Sequence, residues 1–306
     1  MQLWQDYYTP TTVEEALRLL ASYKGQARVI AGGTDLLIDL QYGEGKHAVQ
    51  ALVDVTRIPE MTQIIEANGF CALGAGVTHT AIVQSALIES RATCLVESCG
   101  VVGGPQVRNV GTLGGNVAHA LPAGDGTTSL VVLDAEAEVA WGDGRREWLP
   151  ILKLFKGPGV SALDSTRDIL VAFRFALCHV MEGTAFKRIM RPQGVALPIL
   201  GCAVWVRLDD SGEYYSDARI CIGPVASTPV RASAVEDALK GQPVSDNSLS
   251  KAVQVARETL HPRASRYRAT AEYRDYMIEV LLRQALPLAV RRARTGVAVA
   301  EGVGLG

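Results

Sequence analysis

The segment best suited to chemistry is glycine-rich and reads Gly111-Thr112-Leu113-Gly114-Gly115-Asn116. Glycine has no Cβ atom, so such a segment can adopt positive φ and turn successive backbone N–H groups the same way. Converging N–H groups bind anions, and phosphate is the usual one. One such loop is weak evidence for a phosphate site, because a tight structural turn has the same composition.

A second segment of this kind lies upstream and reads Val29-Ile30-Ala31-Gly32-Gly33-Thr34-Asp35-Leu36. Its pattern predicts a strand, a Gly-Gly turn, and a helix capped by Thr34 or Asp35. Two loops with hydroxyl or amide side chains fit a ligand with two phosphates better than one loop does. We refer to residues 29–36 as the first loop and residues 111–116 as the second loop.

Both loops resemble the paired FAD-binding signatures of the medium subunit of molybdenum hydroxylases. That family includes carbon monoxide dehydrogenase, 4-hydroxybenzoyl-CoA reductase and the flavin domain of xanthine dehydrogenase. Three further stretches support the resemblance, which runs from about Tyr7 to Ala289: Leu73-Gly74-Ala75-Gly76-Val77-Thr78-His79, Gln106-Val107-Arg108-Asn109, and the segment from Ile222 to Arg231. The resemblance implies that both loops bind one FAD. Neither loop has a cysteine or a well-placed histidine for attachment, so we expect the FAD to be bound non-covalently.

Four residues outside the loops are implied as cofactor-binding by the same resemblance. Asp125 matches a carboxylate near the ribityl chain, and Lys187 matches a lysine near the flavin ring. Val102 and Leu170 match positions where apolar side chains pack around the flavin. From the residues alone, Asp125 could instead cap a helix, Lys187 could face outward from a strand, and Val102 and Leu170 could be plain core.

The resemblance further implies a division of labour between subunits. Substrate is transformed at a molybdopterin cofactor in a large subunit, and electrons pass through [2Fe–2S] clusters in a small subunit. The flavin then exchanges those electrons with an external carrier. We expect a dimer of heterotrimers, with no catalytic residue and no metal ligand in this chain.

Composition narrows the remaining classes of function. The net charge of −2 offers no polyanion-binding surface, so nucleic acid is not expected as a partner. No apolar run reaches the length of a membrane span, and no signal peptide is evident, so we expect a cytoplasmic protein. The six cysteines show no metal-binding spacing and are expected to be buried thiols.

The predicted fold is α+β, with two domains. Residues 1–175 are expected to form a two-subdomain FAD-binding fold of the vanillyl-alcohol-oxidase/PCMH type, divided into residues 1–55 and 56–175. Residues 176–291 are expected to form an α+β C-terminal domain of antiparallel sheet plus helices. We expect residues 292–306 to be a flexible tail, either disordered or partner-bound.

Two other functions fit the same fold. One is a stand-alone FAD-dependent oxidoreductase, against which no candidate acid or base for a substrate is found. The other is a flavin-free assembly scaffold, which would have no reason to keep both loops, Asn116 and Asp125. The segment Arg191-Pro192-Gln193-Gly194-Val195 departs from the basic and acidic pattern of relatives, which leaves the electron acceptor open.

Overall fold

The computed structural model describes residues 3–42, 49–191, 197–265 and 268–302. The first subdomain is a parallel sheet in the order β1-β3-β2. Its strands and helices are β1 (Asp6–Tyr8), α1 (Val13–Ser22), β2 (Ala27–Ile30), α2 (Leu36–Tyr42) and β3 (Ala51–Asp54). Helix α1 is capped by Thr12, whose Oγ1 accepts the Glu15 N–H at 3.1 Å.

The second subdomain is an antiparallel sheet in the order β4-β5-β10-β6-β7, covered by short helices. The strands are β4 (Ile64–Ala67), β5 (Phe70–Gly74), β6 (Glu136–Ala140), β7 (Arg146–Pro150) and β10 (Ile169–Ala176), with a separate pair β8 (Phe155–Gly157) and β9 (Val160–Ser161). The helices are α3 (His79–Val83), α4 (Ala86–Arg91), α5 (Thr93–Gly100), α6 (Pro105–Val110), α7 (Leu113–Ala118) and α8 (Asp125–Val132).

The C-terminal domain packs helices on a three-stranded antiparallel sheet in the order β11-β12-β13. The strands are β11 (Glu182–Met190), β12 (Pro198–Leu208) and β13 (Tyr215–Gly223), and the helices are α9 (Ser233–Leu239), α10 (Asp246–Thr259) and α11 (Ala271–Thr295). The fold class predicted from the sequence is confirmed. Among the residues described, no helix is long and apolar enough to span a membrane.

Strand β11 lies between the two domains and contributes to both cores. Phe186 belongs to the apolar core of the N-terminal region, whereas its neighbour Ala185 belongs to the core under the C-terminal helices. Successive side chains of a strand point to opposite faces, so even-numbered residues of β11 face the N-terminal domain. Odd-numbered residues face α11, since a Cβ atom added to Gly183 would collide with the Ala289 carbonyl of that helix.

One sequence prediction needs correction here. The flexible tail was expected to begin at residue 292, but α11 passes through Pro287 and continues to Thr295. Burial explains the continuation, since α11 has buried residues on both sides of the proline, including Arg292 at 3% exposure.

Candidate functional site

The two glycine-rich loops lie against each other. A Cβ atom on Gly32 would stand 2.2 Å from the Val110 carbonyl oxygen and 2.7 Å from Gly111 Cα, so glycine is required there by the contact itself. His119, three residues after the second loop, also lies near Asp35 of the first loop, with 3.9 Å between Nε2 and Oδ1. Sequence positions far apart are thus joined in one place, as two loops sharing a ligand would need.

The first loop carries unused hydrogen-bond donors. Within the described chain, the backbone N–H groups of Gly32, Gly33 and Thr34 donate no hydrogen bond. Gly33 adopts the left-handed conformation, with φ of 68°, as expected of a glycine that turns the backbone sharply. Half-buried N–H groups without partners cost free energy unless a ligand or water accepts from them. The three N–H groups are therefore available to hydrogen-bond an anion or water.

The second loop has a different structure from the one predicted. Leu113, Gly114 and Gly115 form the first turn of α7, with Thr112 as its N-cap. Positive φ was expected at its glycines, but none of Gly111, Gly114 and Gly115 has it.

The backbone donors of the second loop are already used within the chain. Leu113 N–H donates to the Val77 carbonyl at 3.1 Å and Gly114 N–H to the Ala75 carbonyl at 2.8 Å. Gly115 N–H donates to Thr112 Oγ1 at 3.0 Å. Gly114 has no room for a Cβ atom, which would stand 2.5 Å from the Ala75 carbonyl oxygen. Close packing against residues 75–77 explains why position 114 is glycine. The backbone N–H groups without acceptors lie in the first loop.

Asn116 connects the second loop to helix α8. Its Oδ1 accepts a hydrogen bond from Thr127 Oγ1 at 3.4 Å, and a Cβ on Gly124 would stand 3.0 Å from the same oxygen. In the part of the chain that is described, its Nδ2 has no protein acceptor. Asn116 therefore offers an amide donor at the junction of α7 and α8.

Asp125 is the first residue of α8 and pairs with Arg188 of β11. Arg188 Nη1 donates to Asp125 Oδ2 at 2.7 Å, and both side chains are buried. Burial raises the pKa of Asp125 to about 6, although Arg188 and Arg268 act in the opposite direction. The helix-capping alternative is excluded because the N-cap of α8 is Gly124.

The sequence patterns did not single out Arg188, the partner of Asp125. Besides Asp125, it donates from Nη2 to the Val101 carbonyl, which places it beside Val102. Alternation along β11 was the available signal. Phe186 is an apolar residue facing the N-terminal core, so Arg188, two positions later, had to face the same way.

Lys187 lies on the opposite face of the same strand. Its Nζ is 2.8 Å from Glu301 Oε2, and Glu301 also accepts from Arg291 Nη2 at 2.7 Å. These contacts lower the pKa of Glu301, with the Lys187 hydrogen bond as the largest cause. The structure thus brings Asp125 and Arg188 together and leaves Lys187 among residues of α11 and the C-terminal segment.

Of the two apolar candidates, Leu170 is buried in β10 within the N-terminal core, and Val102 is half-buried after α5. Residues 192–195 of the departing segment lie outside the described residues.

Comparison with known proteins decides the family. Residues 2–175 match the FAD binding domain in molybdopterin dehydrogenase, and residues 184–289 match the CO dehydrogenase flavoprotein C-terminal domain. The chain belongs to the family of FAD-binding subunits of molybdopterin dehydrogenases. The resemblance inferred from the loops is thereby confirmed.

Relatives of this family match along nearly the whole chain. The xanthine dehydrogenase FAD-binding subunit of Escherichia coli O157:H7 is 31% identical, over 94% of this chain and 96% of the relative. The carbon monoxide dehydrogenase medium chain of Hydrogenophaga pseudoflava is 29% identical, over 94% and 97%. A solved structure of carbon monoxide dehydrogenase from that organism, lacking the Mo-pyranopterin moiety, aligns with a TM-score of 0.86 at 28% identity, covering 94% of this chain and 98% of its own.

The residues of this family member fit the cofactor that the family binds. FAD presents two phosphates and a chain of hydroxyls to its protein. The unused N–H groups of Gly32, Gly33 and Thr34 suit phosphate oxygens, while Asn116 Nδ2 and the Asp125 carboxylate suit hydroxyls. The hydrogen-bonding groups of this chain therefore suit the cofactor that the family binds.

Proposed function

We propose that this FAD-binding subunit transfers electrons within a molybdenum-containing hydroxylase or dehydrogenase complex. In this proposal it receives them from [2Fe–2S] clusters of a small subunit and passes them to an external carrier. A large subunit holds the molybdopterin cofactor and the substrate. When bound, FAD supplies a ring that can take up and give away electrons.

One observation carries the proposal: the first loop offers donors without partners at its contact with the second loop. Gly32 lets the two backbones touch, and the N–H groups of Gly32, Gly33 and Thr34 would hold the phosphates. Asn116 would donate its amide to the same molecule. Neither loop contains a cysteine or a histidine to which FAD could be attached, which supports non-covalent binding.

Asp125 and Arg188 would orient the middle of the cofactor. An ionised carboxylate accepts hydrogen bonds only, so Asp125 would accept from ribityl hydroxyls while Arg188 holds its other oxygen. The guanidinium also keeps the buried carboxyl from becoming still harder to ionise.

The partners are supported by the names of relatives. The Hydrogenophaga pseudoflava protein is called a medium chain, and the solved structure that aligns is of the dehydrogenase that contains it. Among the described residues, no group of three or more His, Cys, Asp or Glu side chains is placed to hold a metal ion.

Purification of the tagged chain from its native host tests the proposal. We expect one FAD per chain, released entirely by acid precipitation, together with co-purified subunits that carry iron and molybdenum. Asn116→Ala should lower the FAD content of the purified complex. A metal-free monomer with full activity would contradict the proposal, and colour retained in the acid pellet would contradict non-covalent binding.

A further inference from the structure

The segment that follows α11 folds back across the boundary between the two domains. Gly296 ends the helix in the left-handed conformation, with φ of 67°. Five residues later, Glu301 Oε1 accepts from Arg291 Nη2 at 2.7 Å, so the chain has turned back along the helix. We call residues 297–302 the strap, and we call the contact between β11 and α5 the seam.

The strap contacts the N-terminal domain through its backbone. The Ala300 N–H donates to Oε1 of Glu89 in α4 at 3.3 Å, and the Glu301 N–H donates to Oε1 of Glu97 in α5 at 2.9 Å. The methyl group of Ala300 packs against the apolar core of this domain. Two carboxylates and a core contact thus hold the strap on this side of the seam.

The strap contacts the C-terminal domain mainly through one carboxylate. Glu301 Oε2 lies 2.8 Å from Nζ of Lys187 in β11, and its other oxygen accepts from Arg291 in α11. Arg292 of the same helix donates from Nη2 to the Val299 carbonyl. The same short segment therefore joins both domains.

The strap also completes a buried ion pair in the seam. Glu97, at 1% exposure, pairs with Arg292, at 3% exposure, and each of them makes one hydrogen bond to the strap. If the strap left, a buried acceptor and a buried donor would each lose a partner, which is unfavourable unless water enters. The docked strap thus favours a closed seam.

The outer contacts of the strap are weak enough to break. The side chains of Glu301 and Arg291 are 43% and 63% exposed. Ion pairs with this exposure contribute little to stability and are screened by salt. The strap can therefore detach while α11 stays folded.

Strand β11 connects the strap to the cofactor site. Lys187 pairs with Glu301 on one face of the strand, and the next residue, Arg188, pairs with Asp125 on the other face. Asp125 belongs to the N-terminal domain and Arg188 to β11, so this pair also spans the boundary that the strap holds closed.

We propose that the strap gates the exchange of FAD: docked, it keeps the seam closed, and released, it lets the domains part for FAD to enter or leave. The gate rests on the proposed function, which places the middle of FAD beside Asp125 and Arg188. Among the described residues, the hydrogen bonds of the strap to other elements are with α4, α5, β11 and α11. It therefore changes the rates of uptake and release together and leaves the affinity nearly unchanged.

The rates of FAD release and uptake in the purified complex test the gate, followed by flavin fluorescence. We expect both rates to rise about tenfold when residues 297–306 are deleted and about threefold in Glu301→Gln, with Kd within about twofold of wild type. Adding about 0.5 M NaCl should raise the wild-type rates more than those of the deletion variant. Glu279→Gln is the matched control, because it removes an exposed carboxylate that pairs with Arg283 on α11 at 2.9 Å.

Two results would overturn the gate. One is wild-type rates in the deletion variant, and the other is faster release with unchanged uptake, which would mean that the strap stabilises bound FAD. Hydrogen exchange of the Phe186 N–H, which donates to Glu97 in the seam, gives a readout that does not need FAD. It should be faster in the deletion variant. A complex purified without flavin would contradict the proposed function, and Phe186 exchange would still decide whether the strap closes the seam.

Discussion

Glu97 of α5 and Arg292 of α11 form a buried ion pair across the two domains, with 2.6 Å between Oε1 and Nη2. Both side chains make further hydrogen bonds. Glu97 Oε2 accepts the Phe186 N–H at 2.7 Å, and Arg292 Nη1 donates to the Thr184 carbonyl at 2.8 Å. Strand β11 is thereby fixed between both domains. Arg292 was assigned to a flexible tail from the sequence, and its burial reverses that assignment.

We expect Arg292→Met to lower the free energy of unfolding by about 3–5 kcal/mol, because Glu97 would be left buried without its counter-charge. Urea denaturation measures the change. Arg283→Met is the control, since Arg283 pairs with Glu279 on the exposed side of α11 at 2.9 Å. That exposed pair should be worth no more than about 0.5 kcal/mol, and equal losses in both variants would contradict the role of burial.

Gly32→Ala should separate the two loops and weaken FAD binding by about tenfold or more. The new Cβ would stand 2.2 Å from the Val110 carbonyl oxygen, so the backbone must shift. Titration of the FAD-free chain with FAD measures the affinity. Gly157→Ala is the control, because its nearest neighbour is Val160 Cβ at 3.8 Å and its φ is unstrained. Unchanged affinity in Gly32→Ala would show that the loop contact does not serve the cofactor.

Asp125 should make the protein less stable as pH rises from about 4 to 6. Its folded pKa of about 6 lies above the value of 3.8 expected in the unfolded chain. In that window the native state holds a proton that the unfolded state has lost, so the free energy of unfolding falls. The full effect is about 3 kcal/mol. Unfolding of wild type and Asp125→Asn at several pH values measures it, and parallel curves would contradict the assignment.

His79 should act in the opposite direction over nearly the same range. Burial, with a smaller effect of Arg108, lowers its pKa to about 4 from the ordinary 6.5. As pH falls from about 6.5 to 4, His79 becomes protonated in the unfolded chain but stays neutral in the native state. The free energy of unfolding therefore decreases as the pH falls. His79→Gln should therefore show a smaller loss between pH 6.5 and 4 than wild type. A variant that tracks wild type throughout would show that His79 titrates normally.

Replacing Arg188 or Lys187, the two cationic residues of β11, with glutamine should change the affinity for FAD to different extents. Arg188→Gln removes the partner of Asp125, makes the buried carboxyl harder to ionise, and should weaken FAD binding about tenfold. Lys187→Gln should leave the affinity within about twofold, because Lys187 faces Glu301 on the other side of the strand. The reverse order of effects would place the flavin ring on the Lys187 face.

Short-range features can be predicted from the sequence, because neighbouring residues decide them. Thr12, Thr78 and Thr270 each cap a helix through a hydroxyl that accepts a nearby N–H. The Asn68-Gly69 turn joins β4 to β5 with positive φ at both residues, as the hairpin type requires. Each of these features is decided by residues within a few positions of one another.

Long-range packing decided what the sequence did not show. Gly114 gives no sign that Ala75 will lie against it, and Pro287 gives no sign that buried contacts will carry α11 past it. The partnership of Asp125 with Arg188 depends on how β11 crosses between the domains. Once β11 is known to lie between two cores, the alternation of its side chains indicates that Arg188, and not Lys187, faces the N-terminal domain.

The place of β10 has a consequence for synthesis of the chain. This strand pairs with β5 on one side and β6 on the other, and its partners in β5 precede it by roughly a hundred residues. Until Ile169 to Ala176 has left the ribosome, the hairpins β4–β5 and β6–β7 each present an open strand edge. Such edges pair readily with other chains. A nascent chain stalled before β10 would therefore be a ready target for chaperones or for aggregation. Once β10 has emerged, it can pair with β5 and β6 and cover both open edges.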